Sequence, residues 1–185
     1  MAYQINYDSD RYKALYISAV QLVRIMKGKA GTQGDYSLIN NWEGVEGALY
    51  QKKPGALSET PDITFWNKNP VFSPKAYDLL RSMLSEYGEL LPVFLEGEAW
   101  YVFNILKHGD QYINDTKSNK KDEGEETAHD IAEITFVDDG LPLIFKTEFD
   151  SRNRVFCNDK FKGIIEKNAL TGLVFSSDLV KYMHA

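Results

Sequence analysis

A chain of 185 residues with 43% apolar side chains can bury a substantial core without disulfide or metal staples. The single cysteine, Cys157, excludes an internal disulfide, and no stretch approaches the roughly 20 apolar residues of a membrane-spanning helix. The formal charge of −6, with the whole acidic excess after residue 60, opposes nucleic-acid binding; it serves solubility or draws a basic protein partner.

Residues Tyr3–Tyr7 alternate weakly and lead into the turn residues Asp8-Ser9-Asp10, so a short first strand is expected. Residues 12–26 carry apolar positions that fit either a helix, with Leu15, Ala19, Leu22 and Met26 aligned, or a β-branched strand; we read them as partly helical. Gly28, Gly31 and Gly34 follow. Their order lacks the Gly-Lys-Ser/Thr that closes a phosphate loop and starts a helix, so they read as a turn. Residues 35–70 mix Trp42, Tyr50, Phe65 and Trp66 with turn-forming Gly and Pro, which describes irregular chain with short strands, tied down by aromatic anchors.

The most organised stretch is Asn69–Gly97. Ser73 is placed to cap a helix with Pro74 at its first position, Phe72 and Tyr77 to close a hydrophobic staple, and Gly88 to end the helix in the left-handed conformation. Ala76, Leu79, Leu80, Met83, Leu84 and Tyr87 share one apolar stripe. Leu90–Leu95 and Ala99–Ile105 then form a hairpin about Glu96-Gly97-Glu98, in which Trp100, Val102 and Asn104 face one way and Tyr101, Phe103 and Ile105 the other.

Residues 106–130 are polar, basic first and acidic after, and read as a long surface excursion. A second hairpin is expected from Ile131–Val137 and Leu141–Lys146 about Asp138-Asp139-Gly140. Val155-Phe156-Cys157 is extended, Asn158 caps a helix over 159–167, and Leu170–Phe175 supplies a turn and a last strand before a tail. The expected fold is therefore α+β: an antiparallel or mixed twisted sheet with a central amphipathic helix at about 73–87 and a second at about 159–167. Residues 1–60 are read as an N-terminal segment packed on the core, 61–176 as the α+β domain and 177–185 as a tail.

Catalytic and metal-binding signatures are weak. His108, His129 and His184 stand at no recognised ligand spacing, so no metal is expected. Cys157 sits at a strand-to-helix junction where a thiolate would be favoured, but burial as a small apolar residue is the simpler reading. The carboxylate pairs Glu96/Glu98, Glu125/Glu126 and Asp138/Asp139 fall in polar turns and read as solvated; no catalytic residue and no cofactor are assigned.

Asn69-Pro70-Val71-Phe72-Ser73-Pro74-Lys75-Ala76 with Leu79-Leu80, then Gly88-Glu89-Leu90-Leu91-Pro92-Val93 and Tyr101-Val102-Phe103-Asn104-Ile105, form an ordered set of motifs. With Val155–Phe161 and Ala169–Phe175 added, and Pro61-Asp62-Ile63 ahead of them, the set resembles the immunity protein 11 family of bacterial polymorphic toxin systems over roughly residues 60–176. The resemblance implies a cytoplasmic, non-enzymatic protein that binds and neutralises a cognate toxin. Monomer and dimer both remain open. If the toxin is a nuclease with a basic cleft, Glu96, Glu98, Trp100, Asp122, Glu123, Glu125 and Glu126 are the residues expected to meet it. Two alternatives stand beside this reading: a small-ligand-binding protein or enzyme whose pocket is lined by the aromatic strand 99–105, and a self-association module.

Overall fold

The computed structural model describes residues 1–26, 36–55, 57–120, 131–137 and 139–180. The glycine cluster of Gly28, Gly31 and Gly34 lies outside them. In chain order the elements are β1 (Ala2–Tyr7), β2 (Ala14–Tyr16), α1 (Ala19–Met26), β3 (Ala48–Tyr50), β4 (Ile63–Trp66), β5 (Asn69–Phe72) and α2 (Pro74–Leu84). They continue with β6 (Gly88–Leu95), β7 (Glu98–Ile105), β8 (Asn119–Lys120), β9 (Ile131–Glu133), β10 (Ile144–Phe145), β11 (Val155–Asn158), α3 (Asp159–Lys167) and β12 (Leu173–Ser176).

The class is α+β, and every strand ladder among the described residues is antiparallel. A single sheet was expected. The strands instead form two four-stranded sheets, β10-β11-β1-β12 and β4-β5-β7-β6, with two-stranded ribbons β2-β3 and β8-β9. The first strand is an inner one, with Ile5 opposite Val155 on one side and Phe175 on the other.

Strand alternation explains the layering. Between the two larger sheets lies one core, to which β1 contributes Ile5 and Tyr7, β4 Ile63 and Phe65, β7 Phe103 and Ile105, and β11 Val155 and Cys157. The helices α2 and α3 close it with Ala76, Leu80, Leu84, Phe161 and Ile165. Residues of opposite parity leave for the outer faces. Val71, Leu91, Val93, Trp100 and Val102 meet Ile25, Met26, Trp42 and Val45 beneath α1, whereas Ala2, Phe145 and Phe156 meet Ile131, Ile134 and Phe136. Strands β4 and β5 are thus buried on both faces and carry no exposed alternate face, while β6 and β12 open to solvent at Phe94 and Val174.

The helix signals translate into geometry. The Ser73 hydroxyl accepts from the Ala76 N–H at 3.3 Å with Pro74 at the first position, and the Asn158 side chain accepts from the Phe161 N–H at 3.0 Å. Four details differ from expectation. Helix α2 ends at Leu84, capped by Ser85 in the right-handed region, so Gly88 does not terminate it. Gly88 opens β6, where a Cβ would stand 2.1 Å from the Asn104 carbonyl oxygen; the glycine serves close strand approach. Leu79 turns outward at 39% exposure, and Tyr77 stacks on Tyr101 (3.5 Å between centroids) while Phe72 stacks on Phe103. The expected hairpin over 131–146 does not form: β9 pairs with β8, and β10 pairs with β11, to which Ile144 and Phe145 present one side chain for each neighbouring core. Asp138 of that expected turn lies outside the described residues. Residues 12–26 divide, with Ala14–Tyr16 extended and Ala19–Met26 helical.

Candidate functional site

The β6–β7 hairpin ends in a two-residue turn, Glu96-Gly97, with φ of 52° and 88°. Two successive positive φ values make a type I′ turn, whose twist matches that of the strands and keeps the tip rigid. Glu96 is exposed at its apex. Glu98 begins β7 opposite Leu95, and its carboxylate accepts from the Trp100 indole N–H at 3.2 Å. Trp100, expected at a partner surface, is only 4% exposed and packs into the core beneath α1. Alternation put it on the face with Val102, and that face is covered by the N-terminal third of the chain. Asp122, Glu123, Glu125 and Glu126 lie outside the described residues; strands β8 and β9, on either side of them in sequence, are hydrogen-bonded to each other.

Exposed aromatic side chains lie on the strands linked to this hairpin. Phe94 is 42% exposed on β6. Its backbone N–H donates to Val45 and its carbonyl accepts from Gly47, so residues 45–47 run along the β6 edge. The next residue, Ala48, pairs with Tyr16 across the β2–β3 ribbon, and Tyr16 meets Tyr50 edge to face at 6.1 Å. Tyr16 and Tyr50 are 53% and 40% exposed. An acidic tip, one phenylalanine and two tyrosines are therefore held on neighbouring, mutually hydrogen-bonded strands. No periodic signal marks the two tyrosines, because the ribbon carrying them is three residues long on each side.

The alternative pocket over strand 99–105 is not what the structure shows. Val102, Phe103 and Ile105 are buried in the cores with Trp100, and Tyr101 lies under Tyr77. Two clefts among the described residues lie elsewhere. One of about 230 Å³ is lined by Tyr7, Leu15, Tyr16, Tyr50, Lys52, Phe65 and Trp66 among others. The second, polar, lies between Arg24, Asn40, Asn41 and Glu43; the Arg24 guanidinium donates there to the carbonyls of Glu43 and Gly44.

A second concentration of charge, between β10 and β11, was passed over in sequence as a connecting loop. Asp150, 1% exposed, accepts from the Thr147 hydroxyl at 2.9 Å and the Arg154 N–H at 2.7 Å, and its carboxylate lies 3.7 Å from the Arg154 guanidinium. Burial pushes the Asp150 carboxyl pKa up against these hydrogen bonds. Arg154 also donates to the Val180 carbonyl, and Arg152 reaches Glu148 and the His108 ring. Ser151 and Arg152 both hold φ values above 50°, a costly backbone fixed by this web of contacts. Lys146, 3% exposed, donates to the Asn69 side-chain oxygen at 2.8 Å; burial, with Lys68 nearby, pulls its pKa down to about 7. The arrangement ties the loop to the β4–β5 turn and to residue 180. Burial likewise pushes the Cys157 thiol far up, out of reach of thiolate chemistry.

No helix among the described residues is long and apolar enough to cross a membrane. No family model matches the chain, and no curated protein matches it.

Proposed function

We propose that this protein is an immunity protein that binds a cognate antibacterial toxin in the cytoplasm and neutralises it by direct contact, without chemistry of its own. The observation that carries the reading is the exposure of Glu96, Phe94, Tyr16 and Tyr50 on strands linked by backbone hydrogen bonds. Rigid aromatic side chains give contact area at small ordering cost, and a carboxylate beside them steers a basic partner. The motif resemblance supports the same conclusion. Its matched residues supply caps, ladders and core, as in Ser73, Asn158 and Phe103, so the surface around them is free to differ with the toxin met. A nuclease with a basic cleft is the target class that the charge favours.

Co-purification with the product of the adjacent gene, at low and at high salt, tests the proposal. A one-to-one complex that weakens with salt and on Glu96→Lys is expected; the absence of a complex at both salt concentrations overturns it.

A further inference from the structure

The β6–β7 hairpin presents part of one sheet face to solvent. Leu91, Val93 and Leu95 enter the core beneath α1, so alternation turns Pro92 and Phe94 to the opposite face, where their cross-strand partners are Tyr101 and Ala99. Helix α2 covers that face as far as Tyr101, on which Tyr77 stacks; beyond it Pro92 is exposed and Phe94 is 42% exposed. The chain beside β6 adds a carboxylate. Glu46 is the parallel bridge partner of Phe94, so the two side chains are neighbours on one face. The residues on either side agree with this direction, since Val45 is buried beneath α1 and a Cβ on Gly47 would meet Leu15 and Leu95 in the same core. The Gln21 side-chain amide donates to the Glu46 carbonyl at 2.7 Å and accepts from the Glu46 N–H at 2.8 Å, which fixes the backbone there while the side chain stays exposed. Glu96 follows Phe94 by two residues at the rigid tip. Among the described residues the Glu46 and Glu96 carboxylates have no hydrogen bond or ion pair, whereas the exposed Asp10, Glu59 and Glu148 are each paired with a cation of this chain.

We propose that the Phe94 face of the hairpin is the docking surface for an arginine of a basic protein partner, its guanidinium lying on the Phe94 ring with Glu46 and Glu96 as counter-charges. A planar, weakly hydrated guanidinium stacks on a ring and donates from its edge to carboxylates beside it, which a lysine ammonium matches only as a point charge. The chain makes the same kind of pairing within itself at the neighbouring helix, where the Arg81 guanidinium lies 5.6 Å from the Tyr77 ring centre. A second copy is a poor occupant, because a two-fold contact through this face would bring four unpaired carboxylates together. A purely apolar partner would strip water from Glu46 and Glu96 with nothing in return. The partner's identity rests on the toxin-binding reading, the chemistry of the contact on the hairpin alone.

Titration of the full chain with tetra-arginine and tetra-lysine peptides, followed by amide NMR, tests that chemistry. Saturable shifts centred on residues 44–48 and 92–99 are expected, with tetra-arginine bound about fivefold more tightly than tetra-lysine. Phe94→Leu, at a position open to solvent, should bring the two peptides to equal affinity. Glu46→Gln combined with Glu96→Gln should weaken both by about tenfold and remove most of the salt dependence. Absence of saturable shifts at the hairpin overturns the proposal, as does equal affinity for the two peptides in the unmodified protein or an arginine preference that survives Phe94→Leu. Hairpin shifts that grow with protein concentration before any peptide is added would give the face to a second copy and overturn it as well. The same variants are then read in the complex with the product of the adjacent gene. A complex that forms and is indifferent to all three substitutions overturns the docking assignment, whereas absence of a complex counts against the toxin reading and leaves the surface to be decided by the peptides.

Discussion

The Glu96 hairpin and the 146–154 loop are both short charged connections between strands, yet they use charge in opposite ways. At the hairpin the backbone fixes the turn and the carboxylate points into solvent. In the loop Asp150 acts as an internal template, with Thr147, the Arg154 backbone and the Arg154 guanidinium gathered about it. The difference shows that charge density along a sequence does not identify a binding surface. What separates the two is whether each charged group has partners that replace water, and burial supplies that criterion.

The contrast can be broken first at Asp150. Asp150→Ala removes the buried acceptor of the Thr147 hydroxyl and the Arg154 N–H and the carboxylate beside the Arg154 guanidinium, and should cost about 3–5 kcal/mol in urea unfolding, comparable with the roughly 2–5 kcal/mol expected of Leu80→Ala in the central core. A loss below 1 kcal/mol would mean that the loop is held by other contacts. Lys146 gives the next effect, and its sign is set by protons. Its folded pKa of about 7 lies below its ordinary 10.5, so between these values the unfolded chain binds a proton that the folded chain does not. Stability should therefore rise from pH 7 towards pH 10, by on the order of 3 kcal/mol, and Lys146→Met should flatten that rise. Above pH 10 the trend reverses for Tyr7, which the fold keeps protonated up to about pH 12 while the unfolded chain ionises earlier.

Smaller changes sharpen the comparison from the other side. Ser73→Ala, which removes one capping bond, should cost about 1 kcal/mol in the same unfolding assay. Glu96→Lys should move stability by less than about 0.5 kcal/mol, since its side chain is exposed at a turn, while lowering, under the proposed function, the affinity for the partner measured by calorimetry. If the charge reversal at Glu96 destabilised the fold more than loss of the Ser73 cap, the hairpin tip would be a structural element and the comparison would fail.

Local signals in the sequence carried through. Ser73 with Pro74, Asn158 ahead of α3, and the alternation along 99–105 each depend on contacts within a few residues, and each appears in the structure. Long-range pairing did not carry through. The choice of β11 over β9 as partner for β10, and of β11 and β12 as neighbours for β1, is decided by which core each side chain fills. At the candidate surface the tip was legible because Gly97 marks a turn. Trp100 was misplaced because alternation reveals a face and not what covers it. The exposure of Tyr16 and Tyr50 was not legible because three-residue strands have no measurable period, and the burial of Asp150 because buried and solvated charges have the same composition.

The inner position of β1 has a consequence for how the chain is made. Residues 2–7 leave the ribosome well before residues 155–176, in which both of their hydrogen-bonding neighbours lie. Until those are synthesised, the opening segment has two unpaired edges and the apolar side chains of Ile5 and Tyr7 in water. The sheet β10-β11-β1-β12 can therefore be completed only after residue 176 has emerged, while β4-β5-α2-β6-β7 can assemble earlier in translation. A nascent chain of this kind has an early-folding half and a late one, and the late one is most exposed to chaperones and proteases.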